Sequence, residues 1–284
     1  MAILVSALAF SAAAWAQPGQ LANAQVERHA AQADLRGQVM NVAAQITAPA
    51  WIGYAVPAAN ADAQVCCGTR GGCCMGCRLE PDGGQGMFVD GQRHAAARLD
   101  DSAALTVLLR VSKGQIERIR LFSDDCAIDA AGAVVHWLDG ASGAGSVALL
   151  DALASAHTSR RVADGALAAM AMQAEPAAVD RLITLARTGA TPHLRGQALF
   201  WLGQRASSAA IGAITEALEK DPDTDVKRRA VFALSQLPPD EGVPRLMDVA
   251  RTHSNPSVRK QAMFWLGQSK DPRALDFFAA ILKR

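Results

Sequence analysis

Five of the six cysteines in this 284-residue chain lie in one short segment, CCGTRGGCCMGC, and the sixth stands alone further along. In an oxidising compartment six cysteines can form up to three disulfides, and fifteen pairings are possible. Adjacent cysteines ordinarily pair elsewhere rather than with each other. We therefore expect structural disulfides that tie the lone cysteine to the cluster; the candidates are Cys66, Cys67, Cys73, Cys74, Cys77 and Cys126.

Two other kinds of chemistry fit part of this cluster. Cys74 and Cys77 have the spacing of half a zinc site, because thiolates bind zinc and softer metal ions. A redox C-x-x-C motif needs a strand before it and a helix after it, whereas GTRGG precedes and RLEPDGG follows. Since the chain has no second C-x-x-C, we expect neither a metal nor a cofactor, and Cys74 and Cys77 remain the alternative metal ligands.

The chain contains none of the common catalytic motifs: no G-x-S-x-G, H-E-x-x-H, phosphate loop or dinucleotide-binding motif. His136 is the one histidine in a suggestive setting, since Asp124, Asp125 and Asp129 are near it in sequence. A loop histidine with an ordinary hydrogen bond explains that grouping better than a base without a nucleophile. We therefore expect a protein that is not an enzyme.

Residues 1–16 resemble a secretory signal peptide. An apolar run ends in Ala14-Trp15-Ala16, which has the small-x-small form of a cleavage site. The run is short for a membrane span, and no basic residue precedes it, so a buried helix is the alternative. Removal of 1–16 predicts a periplasmic or secreted protein without a membrane span, in agreement with the expected disulfides.

The segments QALFWLGQ, RAVFALSQ and QAMFWLGQ begin at positions 197, 229 and 261, a repeat of 32 residues. Aligned on that step, Leu202, Leu234 and Leu266 share one column, and the other apolar columns also have helical spacing. Each unit is predicted to be two helices joined by a turn. About four units fill residues 157–284, and the first begins near Arg160.

A two-helix unit of this size cannot bury its own apolar face, so stacked neighbours must cover it. The pattern of Leu194, Arg195, Ala198, Leu202 and Gly203 resembles HEAT repeats, in particular the short HEAT-like type found in phycobilin lyases. The resemblance implies an α-solenoid over a little under half of the chain. The whole chain, with its Cys-rich segment, resembles exported bacterial HEAT-repeat proteins.

Upstream of the repeats we expect less regular structure, in a fold that is mainly α. Residues 17–65 are predicted to be weakly structured, with WIGYAVPA as an extended arm because Pro57 disfavours helix. Residues 66–140 form a small Cys-rich module, in which ALTVLLRV and QIERIRLF flank SKG and predict a β-hairpin. Residues 141–156 are predicted to be a connecting helix.

The net charge of the chain limits the classes of partner that it is expected to bind. A formal net charge of +1 lacks the basic footprint of a nucleic-acid-binding protein. In HEAT-like solenoids the second helix of each unit lines the concave surface. On the second helices of this chain positive and negative side chains alternate, which suits a protein partner. The candidate contact residues on that surface are Arg187, Glu216, Asp248 and Arg251.

Phe200, Phe232 and Phe264 occupy equivalent positions in three repeats, on the side of the first helix opposite its core columns. An exposed aromatic ridge is seldom left uncovered unless a partner docks on it. The alternative is that each ring leans into the neighbouring repeat and belongs to the core.

These patterns predict an exported, non-catalytic module that binds another protein, not nucleic acid, through its solenoid. The resemblance also implies an alternative, an enzyme of the phycobilin-lyase or DNA-glycosylase type, because both use HEAT-like solenoids. The identity of the partner and the oligomeric state do not follow from the sequence.

Overall fold

The computed structural model describes residues 21–59, 77–80, 104–123, 128–156, 159–205 and 207–282. The signal-peptide segment 1–16 lies outside these residues. So do five of the disulfide candidates, including one of the two alternative metal ligands: Cys66, Cys67, Cys73, Cys74 and Cys126.

The first part of the chain forms a five-stranded mixed sheet and a small three-stranded sheet. The strands are β1 (Leu21–Ala22), β2 (Gln25–Ala30), β3 (Ala50–Pro57), β4 (Cys77–Arg78), β5 (Ala104–Ser112), β6 (Gln115–Ser123), β7 (Ile128–Asp129) and β8 (Val134–Asp139). The main sheet has the order β2-β8-β3-β5-β6, and a small sheet has the order β1-β7-β4. Strands β2, β8 and β3 run parallel, whereas β5 is antiparallel to β3 and β6.

The β-hairpin expected from residues 104–122 is present as β5 and β6. Lys113 and Gly114 make the turn, and both have positive φ, 50° and 73°. Those angles match the right-handed twist of a two-residue hairpin, and glycine adopts them without steric cost.

The segment expected to be weakly structured contributes to the same sheet. Residues 25–30 form the edge strand β2, and WIGYAVP belongs to β3, an inner strand between β8 and β5 rather than an extended arm. Pro57 is the last residue of β3, so the N–H that proline lacks is missing at the end of the strand and not from its interior. Strand β2 has only two apolar residues, Val26 and Ala30, and all six of its residues are exposed, so its sequence gives little of the alternation that predicts a half-buried strand.

From residue 143 onward the helices follow the expected plan, but residues 35–45 also form a helix, in the segment expected to be weakly structured. The helices are α1 (Leu35–Gln45), α2 (Gly143–Ser155), α3 (Arg160–Met172), α4 (Pro176–Thr188), α5 (Pro192–Arg205), α6 (Ser208–Lys220), α7 (Thr224–Ser235), α8 (Pro239–Thr252), α9 (Pro256–Gln268) and α10 (Pro272–Leu282). From α3 onward they form four two-helix units. Thr191, Asp223 and Asn255 accept hydrogen bonds from the backbone N–H groups that open α5, α7 and α9.

One hydrophobic core runs from the helix-covered face of the sheet into the repeats. Leu202, Leu234 and Leu266 are at most 1% exposed, as their shared column predicts. At the junction α3 lies so close to β6 that a Cβ on Gly165 would come within 2.8 Å of Ile119. The sheet therefore covers the face that the first repeat would otherwise expose.

The opposite face of the sheet has a smaller core of its own, built around Trp51 and Trp137. Gly53 lies between Leu108 and Trp137, and a Cβ there would come within 2.7 Å of the Leu108 side chain and 2.8 Å of the Trp137 ring. Any larger residue would displace these two side chains. This packing explains why a glycine sits inside an inner strand.

Candidate functional site

The three phenylalanines of the repeats are joined into one aromatic strip together with two tryptophans. The Phe200 and Phe232 rings stack in parallel across α5 and α7, with centroids 5.8 Å apart and planes 2° apart. Phe232 then contacts Trp265 of α9 at 4.8 Å. We call the set Phe200, Trp201, Phe232, Phe264 and Trp265 the aromatic strip.

Phe264 is the most exposed ring of the strip. Phe200 and Phe232 are half-buried. Phe264 is 53% exposed and touches the strip through an edge contact with Trp265, with centroids 5.0 Å apart. The expectation of a purely outward ridge and the alternative of core packing therefore each describe part of the strip: its first rings lean on the next repeat, and its last ring is open to solvent.

Polar side chains flank the strip on the same first helices. Arg229 donates to Gln197 Oε1 at 2.9 Å, and Gln204 donates to Gln236 Oε1 at 3.5 Å; both pairs link α5 to α7 or its C-cap. These pairs have the same 32-residue offset as the phenylalanines. The result is an apolar strip with a polar border on the repeat surface.

The candidate residues on the second helices are not gathered into one site. Arg187 donates from Nε to Glu216 at 2.8 Å across α4 and α6, and this hydrogen bond holds the pKa of Glu216 below its usual value. Asp248 lines a different cleft, with Thr215 and His253. The Arg251 guanidinium lies over the Phe277 ring, 4.8 Å from its centroid. Three of these four side chains are therefore engaged within the protein.

Basic residues at equivalent positions of two repeats, Arg195 and Lys227, contact neighbouring parts of the solenoid. Arg195 binds Asp221 on the loop before α7. Lys227 donates to the Glu219 backbone carbonyl at 2.6 Å. These contacts join neighbouring helices and leave the basic residues with structural roles.

His136 has a partner other than the aspartates near it in sequence. Its Nδ1 lies 3.1 Å from Glu27 Oε2, on the neighbouring strand β2. Asp129 instead accepts hydrogen bonds from Asn23 and from the backbone of Ala131, while Asp124 and Asp125 lie outside the described residues. The sequence signal for this grouping is the pair Glu27-x-His29, which places two polar side chains on one face of a strand.

Of the cysteines, Cys77 lies within the described residues. It forms β4, which pairs with β7 so that Cys77 is opposite Ile128. The disulfide pairing and the alternative metal site at Cys74 and Cys77 remain predictions.

The helical part of the chain matches a known repeat family. Residues 146–235 and 211–284 match the family described as HEAT repeats. A solved structure, the complex of CpcE and CpcF of phycocyanin lyase from Nostoc sp. PCC7120, is similar over 50% of this chain and 91% of that chain, with 18% identity and a TM-score of 0.39. At that score the similarity carries no argument about function. The comparison with curated proteins found no match.

Among the described residues, every helix is too short or too polar to cross a membrane.

Proposed function

We propose that this chain is an exported binding protein whose HEAT-repeat solenoid docks another protein on the aromatic strip. HEAT repeats form helical scaffolds that often mediate protein interactions, and residues 146–284 carry them. The observation that carries the proposal is the 53% exposure of Phe264 at the end of a continuous row of aromatic contacts.

The strip has the composition of a docking site. Aromatic residues dominate the energetic centres of protein interfaces, and a polar rim surrounds such centres. Here the polar rim is the pair Arg229–Gln197 and the pair Gln204–Gln236. An apolar helix or extended segment of a partner would cover the strip while the rim stays hydrated.

The charged surface of the second helices is the weaker candidate. Arg187 and Glu216 are paired with each other, and Arg251 covers Phe277. A partner that bound these groups would have to replace existing contacts, which lowers the gain on binding. Phe264 contacts Trp265 by one edge, and half of its surface faces solvent, so a partner can cover the ring without replacing that contact.

Export is a separate part of the proposal and rests on sequence alone. The signal-peptide resemblance of residues 1–16 and the six cysteines both favour an oxidising compartment. A mature protein that begins at Gln17 is the expected product.

The test compares two substitutions on α9. Phe264→Ala should lower the free energy of unfolding by less than about 1 kcal/mol, because the ring is largely exposed. Leu266→Ala removes a fully buried side chain and should cost about 2–5 kcal/mol. Partners captured by the wild-type protein should be lost with Phe264→Ala at unchanged stability. Equal capture by wild type and by Phe264→Ala would overturn the proposal.

A further inference from the structure

A cluster on the sheet, remote from the repeats in sequence, brings together two histidines and a carboxylate. In the parallel pair β2 and β8, Glu27 is directly opposite His136. Side chains two residues apart on a strand point to the same face, so His29 lies beside Glu27 on that face. Three potential metal ligands therefore come from two adjacent strands of one sheet.

The distances suit a single ion. His136 Nδ1 is 3.1 Å from Glu27 Oε2, and the His29 and His136 rings stack with centroids 5.9 Å apart. One ligand atom from each of the three residues can be chosen so that all lie within 4.8 Å of one another. Ligand atoms about 2.1 Å from a shared zinc ion are roughly 3.4 Å apart in tetrahedral geometry. The longest separation must shorten by at most about 1.4 Å, which the exposed side chains of Glu27 and His29 permit.

We propose that Glu27, His29 and His136 bind a divalent transition-metal ion of the zinc class. Two imidazoles and one carboxylate are a ligand set that zinc accepts in proteins. His136 Nδ1 and Glu27 Oε2 already lie 3.1 Å apart; the ion would bind between these two atoms, and a proton held there would be released to water. Within the part of the chain that the structure describes, the His29 imidazole has no hydrogen bond or ion pair, so it is available as the third ligand.

Because of where the cluster lies in the sheet, a bound ion has two structural effects. Strand β2 is an edge strand, and His136 is on the next strand inward, so the ion links the edge of the sheet to its interior. Three protein ligands leave a coordination position that faces solvent, because Glu27 and His29 are both exposed. Water or a donor group of another molecule fills that position.

The experiment measures zinc bound per chain by equilibrium dialysis of the full-length protein, with thermal unfolding as a second readout. We expect Glu27→Gln, His29→Gln and His136→Gln each to bind one ion fewer than wild type. Added zinc should raise the melting temperature of wild type and leave these variants unchanged. The matched control is His193→Gln, which removes a histidine paired with Asp164 in the repeats and should behave as wild type.

The difference between variants isolates this site, because all of them retain the six cysteines. Glu27 and His29 are exposed, so their glutamine variants fold even if His136→Gln does not. Equal zinc content and an equal thermal shift in wild type, Glu27→Gln and His29→Gln would overturn the proposal.

Discussion

Arg195 of α5 and Asp221, on the loop before α7, form a bidentate ion pair. Nε lies 2.7 Å from Oδ2, and Nη2 lies 3.1 Å from Oδ1. The side chains are only 13% and 5% exposed. Arg195 also donates to the Gly189 carbonyl, so this one side chain ties α5 to the turn before it and to the loop between α6 and α7.

We expect Asp221→Asn to destabilise the repeats by about 2 kcal/mol, because Arg195 would lose a charged acceptor in a partly dehydrated setting. Chemical denaturation at neutral pH measures the loss. The matched control is Asp225→Asn: Asp225 pairs with Arg228 but is 79% exposed, so its change should stay below about 0.5 kcal/mol. Equal effects for the two variants would contradict the structural role of the Arg195 pair.

The Arg195–Asp221 pair also predicts part of the loss of folding stability at low pH. Burial alone would raise the pKa of Asp221, but the Arg195 hydrogen bonds and the Asp223 backbone N–H more than offset it, so the pKa lies below the usual 3.8. A carboxylate with a lowered pKa in the folded state contributes stability above the unfolded value and loses it as pH falls. Below about pH 4, wild type should therefore lose stability more steeply than Asp221→Asn. Parallel pH profiles would show that Asp221 does not contribute.

A buried hydrogen bond between Tyr54 of β3 and Ser146 of α2 fixes the sheet to the first helix after it. The two oxygens are 3.0 Å apart, both residues are at 0% exposure, and burial raises the pKa of Tyr54 well above its usual value. Tyr54→Phe and Ser146→Ala should each cost about 1–2 kcal/mol, since each leaves a buried hydroxyl without a partner. The double variant should cost less than their sum.

The control for that cycle is Thr106→Val on β5. Thr106 Oγ1 is buried and has no hydrogen-bond partner among the described residues. Removal of this hydroxyl at nearly constant volume should leave stability unchanged or slightly higher. If Thr106→Val were as harmful as Tyr54→Phe, the loss would reflect general packing rather than the hydrogen bond.

The repeats could be predicted from the sequence because their signal is periodic. Leu202, Leu234 and Leu266 recur at one step and are all buried, so a single alignment predicts helix, turn and core together. The sheet could be predicted only in part. The hairpin β5–β6 has alternation and a Gly turn, whereas β2 is exposed throughout and pairs with β8, more than a hundred residues later.

The candidate sites, like the sheet, could be predicted from the sequence only in part. The position of the phenylalanines on the first helices follows from helical periodicity, but the contact between Phe232 and Trp265 depends on the rotation between repeats, which no local pattern encodes. The cluster of Glu27, His29 and His136 depends on the pairing of β2 with β8. These strands are far apart in sequence, so no local pattern predicts the cluster. The cysteine pairing stays a prediction, since five of the six cysteines lie outside the described residues.

Docking on the aromatic strip is tested most directly by site-specific photo-crosslinking in the cells that make the protein. A photoreactive phenylalanine analogue replaces Phe264 in one variant and Asp248, an exposed residue of the second-helix surface, in another. We expect a discrete covalent adduct with another protein from position 264 and none from position 248. Adducts from position 248 alone, or no adduct from position 264 in cells that contain the folded protein, would contradict docking on the strip.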